Sequence, residues 1–97
     1  MIACHCFLEH VAYQLMHDRF GVKDKSLARN IALLKVQCSQ MLQYCTIEAS
    51  QIFGGRSFVV GGRGAKVERL YRRVRSSSIA GGSEEVMLDL ACRQAKL

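Results

Sequence analysis

The stretch Leu27–Ile52, LARNIALLKVQCSQMLQYCTIEASQI, carries apolar or small residues at Leu27, Ile31, Leu34, Cys38, Leu42, Cys45, Ala49 and Ile52. Successive spacings of three and four residues put them on one stripe of an α-helix. No other periodic signal in the chain is as strong. A helix of about 27 residues is roughly 40 Å long, more than the width of a small domain. The stripe therefore demands partners that a 97-residue chain scarcely supplies.

Working outward, Cys4, Leu8, Val11 and Leu15 recur at spacings of four, three and four, which predicts a first helix to about Asp18, stopped by Gly21. Asp24 or Ser26 is the expected N-cap of the long helix. After it, Gly54 and Gly55 end the pattern, and RSFVVGGRG reads as a loop with a short β-like run from Ser57 to Val60. A third helix is expected from about Ala65 to Arg75, with Val67, Leu70, Tyr71 and Val74 on its apolar side. SSSIAGG then breaks the pattern. Ser83 is the expected N-cap of a last helix carrying Val86, Met87, Leu90 and Ala91, with Glu84 and Glu85 complementing its dipole. The absence of proline suits the same conclusion. The fold class is all-α: a partial antiparallel four-helix bundle of two long helices and two shorter C-terminal ones, with 1–97 as a single incomplete domain.

Composition narrows the functional classes. With 49% hydrophobic and 23% charged residues the chain is expected to fold, around a thin core. No apolar run approaches the roughly 20 residues of a membrane span, and the N-terminus carries no pattern of a signal or transit peptide. The five cysteines Cys4, Cys6, Cys38, Cys45 and Cys92 are an odd number without repeating spacing. They read as reduced thiols, hence an intracellular protein. The net charge of +6 resides in Arg56–Arg75, where seven basic residues meet only Glu68.

Three motifs are weighed by their chemistry. Cys4-His5-Cys6 with His10 resembles half of a zinc site, but residues two apart on a helix face different ways and no second pair completes it. No metal is expected; the cysteines read as small hydrophobes, and His5 and His17 as surface or interface residues. GGRG lacks the ending of a phosphate loop and the third glycine of a dinucleotide fingerprint. The arginine-rich segment could meet phosphates, yet its arginines share a helix with an apolar stripe and only Phe58 and Tyr71 could stack on bases. Nucleic acid is the weaker expectation.

The order of four motifs is more specific: EASQIFGG ending the long helix, a glycine-rich loop, VERLYRRVR, then IAGGSEEVMLDLACRQ. Together they resemble the C-terminal helical domain of the FAD-dependent acyl-CoA dehydrogenases, over essentially the whole chain. The resemblance implies that Gln51, Ile52, Phe53, Gly54 and Gly55 touch the FAD of a neighbouring subunit. It implies that Ser83, Glu84 and Glu85 contact the adenine and pyrophosphate portion within their own subunit, and that Gly81 and Gly82 line the acyl-CoA thioester. It further implies a dimer or tetramer, with electron-transfer flavoprotein or oxygen accepting electrons in the complete enzyme. The family's reaction is α,β-dehydrogenation: a carboxylate removes the α-proton of the acyl-CoA and the β-hydride passes to the flavin.

Where many members of the family carry the glutamate base, this chain has Gly81. Members of the long-chain and isovaleryl type also lack it there and take their base from an earlier helix, which this chain does not contain. No catalytic residue is assigned, and Glu84 and Glu85 are not substitutes. The middle β-domain and the N-terminal helices of the family are also missing. The expectation is thus a fragment, a truncated product or a chain that needs partners, inactive alone. The alternatives are a non-enzymatic helical interaction module associating with full-length relatives, or a basic nucleic-acid binder. The motifs do not choose between mitochondrion, peroxisome and cytoplasm, nor between acyl chain lengths.

Overall fold

Helix α2, Lys25–Phe53, is the spine to which everything else attaches. The computed structural model describes residues 1–17 and 25–95, so the expected stop at Gly21 and cap at Asp24 lie outside the described residues. Helix α1 spans Ile2–His17, α3 Ala65–Ile79 and α4 Glu84–Gln94. All three pack on α2. Cys4 shares a groove with Cys38, and Gln14 accepts a hydrogen bond from Asn30 at 3.0 Å, so α1 runs antiparallel to α2. Helix α3 does the same, with Val67 and Leu70 beside Ala49 and Thr46 at one end and Ser78 beside Lys35 at the other. The all-α architecture is the one the sequence predicts, and among the described residues there is no strand.

The molecule measures 50 × 24 × 18 Å, with the length of α2 setting the long axis. An elongated shape leaves little interior. The apolar centre is Val11, Leu27 and Leu34, with Phe7 packed against it. Each such side chain contributes roughly 1.5–3 kcal/mol on full burial, so this cluster is a slender foundation. On the long stripe, Ile31 and Leu42 remain 40% exposed and Ile52 83%. An open groove of about 280 Å³ runs along it, lined by Met1, Cys4, Cys38, Met41, Leu42 and Cys45. Cys38 keeps an exposed edge, but burial pushes its thiol pKa up, and the neighbouring Cys4 adds to the shift.

Five local expectations are corrected. Helix α2 already includes Ser26, which therefore is not its N-cap. On α1 the inner edge is Phe7 and Val11, while Leu8 and Leu15 stay about half exposed. Ser57–Val60 is not β-like: Gly54–Phe58 forms a 3-10 turn, followed by bends. Helix α3 continues through Ser76–Ser78, because Ser78 Oγ donates to the Val74 carbonyl at 2.9 Å and does not compete with the helix backbone. Its buried positions are the polar Glu68 and Ser78, whereas Leu70 and Tyr71 are exposed. Glu68 is tolerated there because Arg72 Nη2 donates to its carboxylate at 2.5 Å.

Candidate functional site

The first glycine-paired turn closes α2, and the second lies against its middle at Lys35. Gln51, Ile52 and Phe53 form its last turn and are exposed, as are Gly54 and Gly55 directly after it. Gly54 adopts φ +57, which lets the chain leave the helix. The following 3-10 turn is latched by serines: Ser50 Oγ and Ser57 Oγ lie 2.8 Å apart, and Ser57 Oγ reaches the Gly54 carbonyl at 2.7 Å. Ser57 is 3% exposed, so this hydroxyl works away from water. Gly64 closes the loop from the far side; a Cβ there would lie 2.1 Å from the Arg56 carbonyl oxygen, a contact only glycine permits. The loop's side chains Phe58, Val59 and Val60 stand outward, each at least 60% exposed.

The second turn joins α3 to α4. Gly81 and Gly82 have φ +74 and +106. A Cβ on Gly82 would also strike the Met87 terminal methyl at 2.1 Å, while at Gly81 it would meet nothing within 4 Å. Ser83 holds the extended backbone of an N-cap, as predicted, but its hydroxyl does not bond the helix backbone. It bonds the Glu85 carboxylate instead. The Glu85 backbone N–H first, then this hydroxyl, hold the carboxyl below the usual range, helped by the Arg75 and Lys35 charges. Glu84 Oε2 accepts from Gln40 Nε2 at 3.2 Å, and its Oε1 is buried with no hydrogen-bond partner.

Lys35 is the residue the sequence reading missed. From the middle of α2 its ammonium donates to the carbonyl of Ser78 and, at 2.6 Å, to that of Gly82. A signal was present: Lys35 is the one charged residue between Arg29 and Glu48, set between Leu34 and Val36, both buried. Gln51 lies 16 positions further along α2 than Lys35, or roughly 24 Å at 1.5 Å per residue. The structure therefore brings Gly81, Gly82, Ser83, Glu84 and Glu85 together as one cluster, and holds Gln51–Gly55 apart from them as another.

Elsewhere the surface is plain. Among the described residues no three of His, Cys, Asp and Glu gather as a metal set, and no helix is long and apolar enough to cross a membrane. His5 pairs with Glu9 at 3.3 Å on the surface, and His17 stacks on Tyr13. Phe58 and Tyr71 meet edge to face with centroids 6.4 Å apart, so the two candidate base-stacking rings engage each other.

A long central helix with antiparallel partners and two exposed glycine turns defines the class: an all-α domain whose conspicuous backbone lies at its helix ends. The model of the acyl-CoA dehydrogenase C-terminal domain matches residues 3–96. The chain belongs to the acyl-CoA dehydrogenase family, in the part formed by that C-terminal domain. It is similar to acyl-CoA dehydrogenase apdG of Emericella nidulans, with 36% identity over 88 residues, covering 91% of this chain and 20% of the relative. It is similar also to the probable acyl-CoA dehydrogenase YdiO of Escherichia coli, at 36% identity over 70 residues, covering 72% of this chain and 18% of the relative. The chain thus spans about a fifth of the length of these relatives. No solved structure matches it significantly.

Proposed function

We propose that the chain is the C-terminal part of an FAD-dependent acyl-CoA dehydrogenase-like oxidoreductase, contributing cofactor and thioester contacts and an oligomer interface, and inactive alone. The observation that carries this reading is the pair of exposed glycine turns at the positions of the family's motifs. At Gly54, Gly55 and Gly81 the place a Cβ would take is open, so a flat ring or a thioester can reach the backbone.

The donor set of the second turn suits the adenosine end of FAD. Ser83 and the first N–H groups of α4 can meet phosphate oxygens. Glu84, with an unsatisfied buried oxygen, and the ionised Glu85 are better matched to ribose hydroxyls or the adenine amine than to phosphate. Gly81 and Gly82 would lie along the acyl thioester. Gln51–Phe53 with Gly54 and Gly55, roughly 24 Å away along α2, would serve the flavin of a neighbouring subunit, which matches the separation of the two clusters. FAD when bound supplies the hydride acceptor. The chain's own residues position and exclude water.

A base is absent from this scheme. Gly81 has no side chain, and Glu85 carries a lowered pKa, the wrong direction for a group that must take a proton at neutral pH. Glu84 is turned to Gln40. The exposed stripe from Ile31 to Ile52 and the outward Phe58, Val59 and Val60 favour a partner-dependent chain, whether the remainder of such a subunit or a full-length relative.

The test is to purify the 97-residue chain alone and together with a full-length family subunit. We expect no acyl-CoA oxidation with an artificial electron acceptor by the chain alone, and co-purification with the subunit. Turnover by the isolated chain would overturn the missing base. The absence of both flavin absorbance and association with the subunit would overturn the contribution to a flavin site.

A further inference from the structure

The IAGG turn contains a problem of its own. Of the last carbonyls of α3, that of Ser76 accepts from the Ala80 N–H at 3.0 Å; those after it have no acceptor role within the helix, and Gly81 and Gly82 then reverse the chain at positive φ. A turn of this kind, built on two successive glycines, is also the most conformationally costly backbone to hold in one form. Ser83 does not help, because its hydroxyl is engaged with Glu85 and not with the helix backbone. What does meet the turn is Lys35, 43 and 47 positions earlier in the chain, with the carbonyls of Ser78 and Gly82 on one ammonium.

We propose that Lys35 is a positioning residue: by holding the carbonyls on both sides of Ile79–Gly81 it sets the Gly81–Gly82 backbone in its ligand-facing form. A lysine suits the task. Its ammonium is compact, rotates freely and has three donors, so it can serve two carbonyls at once without the fixed plane that the fork of arginine imposes. The positive charge sits at the C-terminal end of α3, where the helix dipole favours it. Its half-buried stem runs between Leu34 and Val36, so the head reaches the turn from a rigid helix and not from a loop. On the far side Met87 covers Gly82, which leaves Gly81 as the open face. That the open face receives a thioester or flavin rests on the function proposed above; the clamp itself does not.

The experiment compares the full 97-residue chain with its Lys35→Met and Lys66→Met variants by NMR. Methionine keeps the aliphatic stem, and Lys66, exposed on α3, controls for the loss of one charge. In the wild type the Lys35 Nζ signal should show hydrogen-bond couplings to the Ser78 and Gly82 carbonyl carbons. Loss of a charge-assisted bond should speed amide exchange over residues 80–87 by about tenfold or more in Lys35→Met. Exchange in α1 and α2 should stay within about twofold, the scatter of surface substitutions. Lys66→Met should change neither. Missing couplings, unchanged exchange in the turn or a uniform rise throughout the chain would overturn the clamp. FAD titrated into the same samples separates the two claims. Weaker binding by Lys35→Met than by Lys66→Met supports positioning for a ligand, and equal binding overturns it. If the turn loosens selectively but no form takes up FAD, either alone or with the full-length family subunit, the clamp stands and the functional reading fails.

Discussion

At Gly54–Phe58 the chain is latched by Ser50 and Ser57, seven positions apart, whereas at Ala80–Ser83 the latch is Lys35, 43 and 47 positions from its acceptors. The first turn is a local device whose parts arrive with the helix end. The second exists only once α3 has folded back along α2. Local latches form at small loop-closure cost, while distant ones need the surrounding packing to be in place first. Two turns with the same glycine signature thus depend on the rest of the molecule to different degrees.

The strongest way to break the first latch is Gly64→Ala. The new Cβ would lie 2.1 Å from a backbone oxygen, which cannot swing aside. A loss of about 1–3 kcal/mol or more is expected, as for overpacking generally, measured as a lower urea midpoint. Gly82→Ala should cost less, about 1–2 kcal/mol, since its clash is with the flexible end of Met87 and the remaining cost is the left-handed backbone. Pairing it with Met87→Ala sharpens the point: the clash disappears, the backbone strain does not, and the two changes should be non-additive in the same denaturation assay.

Ser57→Ala should remove about 1 kcal/mol and raise amide exchange around Gly54–Phe58 only. Combined with Lys35→Met its effect should add within about 0.5 kcal/mol, because the two latches lie more than 10 Å apart and share no partner. Coupling well above that would mean the turns are one cooperative unit after all. The smallest effect concerns pH. The Glu85 carboxyl is lowered in the folded chain, so its contribution to holding α4 is fully present above the usual carboxylate range. It is lost as pH falls through the lower folded value. Carboxyl-carbon NMR should show Glu85 titrating below the usual glutamate range, and Ser83→Ala should move it upward.

Much of this was legible without coordinates. The four helices, the glycine ends of α2 and α3 and the family are written in contiguous stretches. Burial was less legible. Leu8 and Leu15 lie on the predicted face of α1 yet remain about half exposed, because α1 meets α2 through Phe7 and Val11. Leu70 and Tyr71 looked like the inner face of α3, but both stay exposed, and the buried positions are Glu68, beside Ser57, and Ser78, beside Lys35. Apolar periodicity records every surface a helix was built to bury. In this chain, which spans about a fifth of its relatives, only some of those surfaces find a neighbour.

Helicity, the places where the chain turns, the lack of a base at Gly81 and the family are all readable from the linear order of residues. These follow from relations three or four residues apart and from short motifs. Which helix faces are covered, the separation of the two glycine turns along α2 and the hold of Lys35 on one of them come from the packing of the helices. Those properties depend on how whole helices lie against one another. A lysine in an apolar run shows that something must meet its charge; the packing of α3 and α4 on α2 supplied the carbonyls.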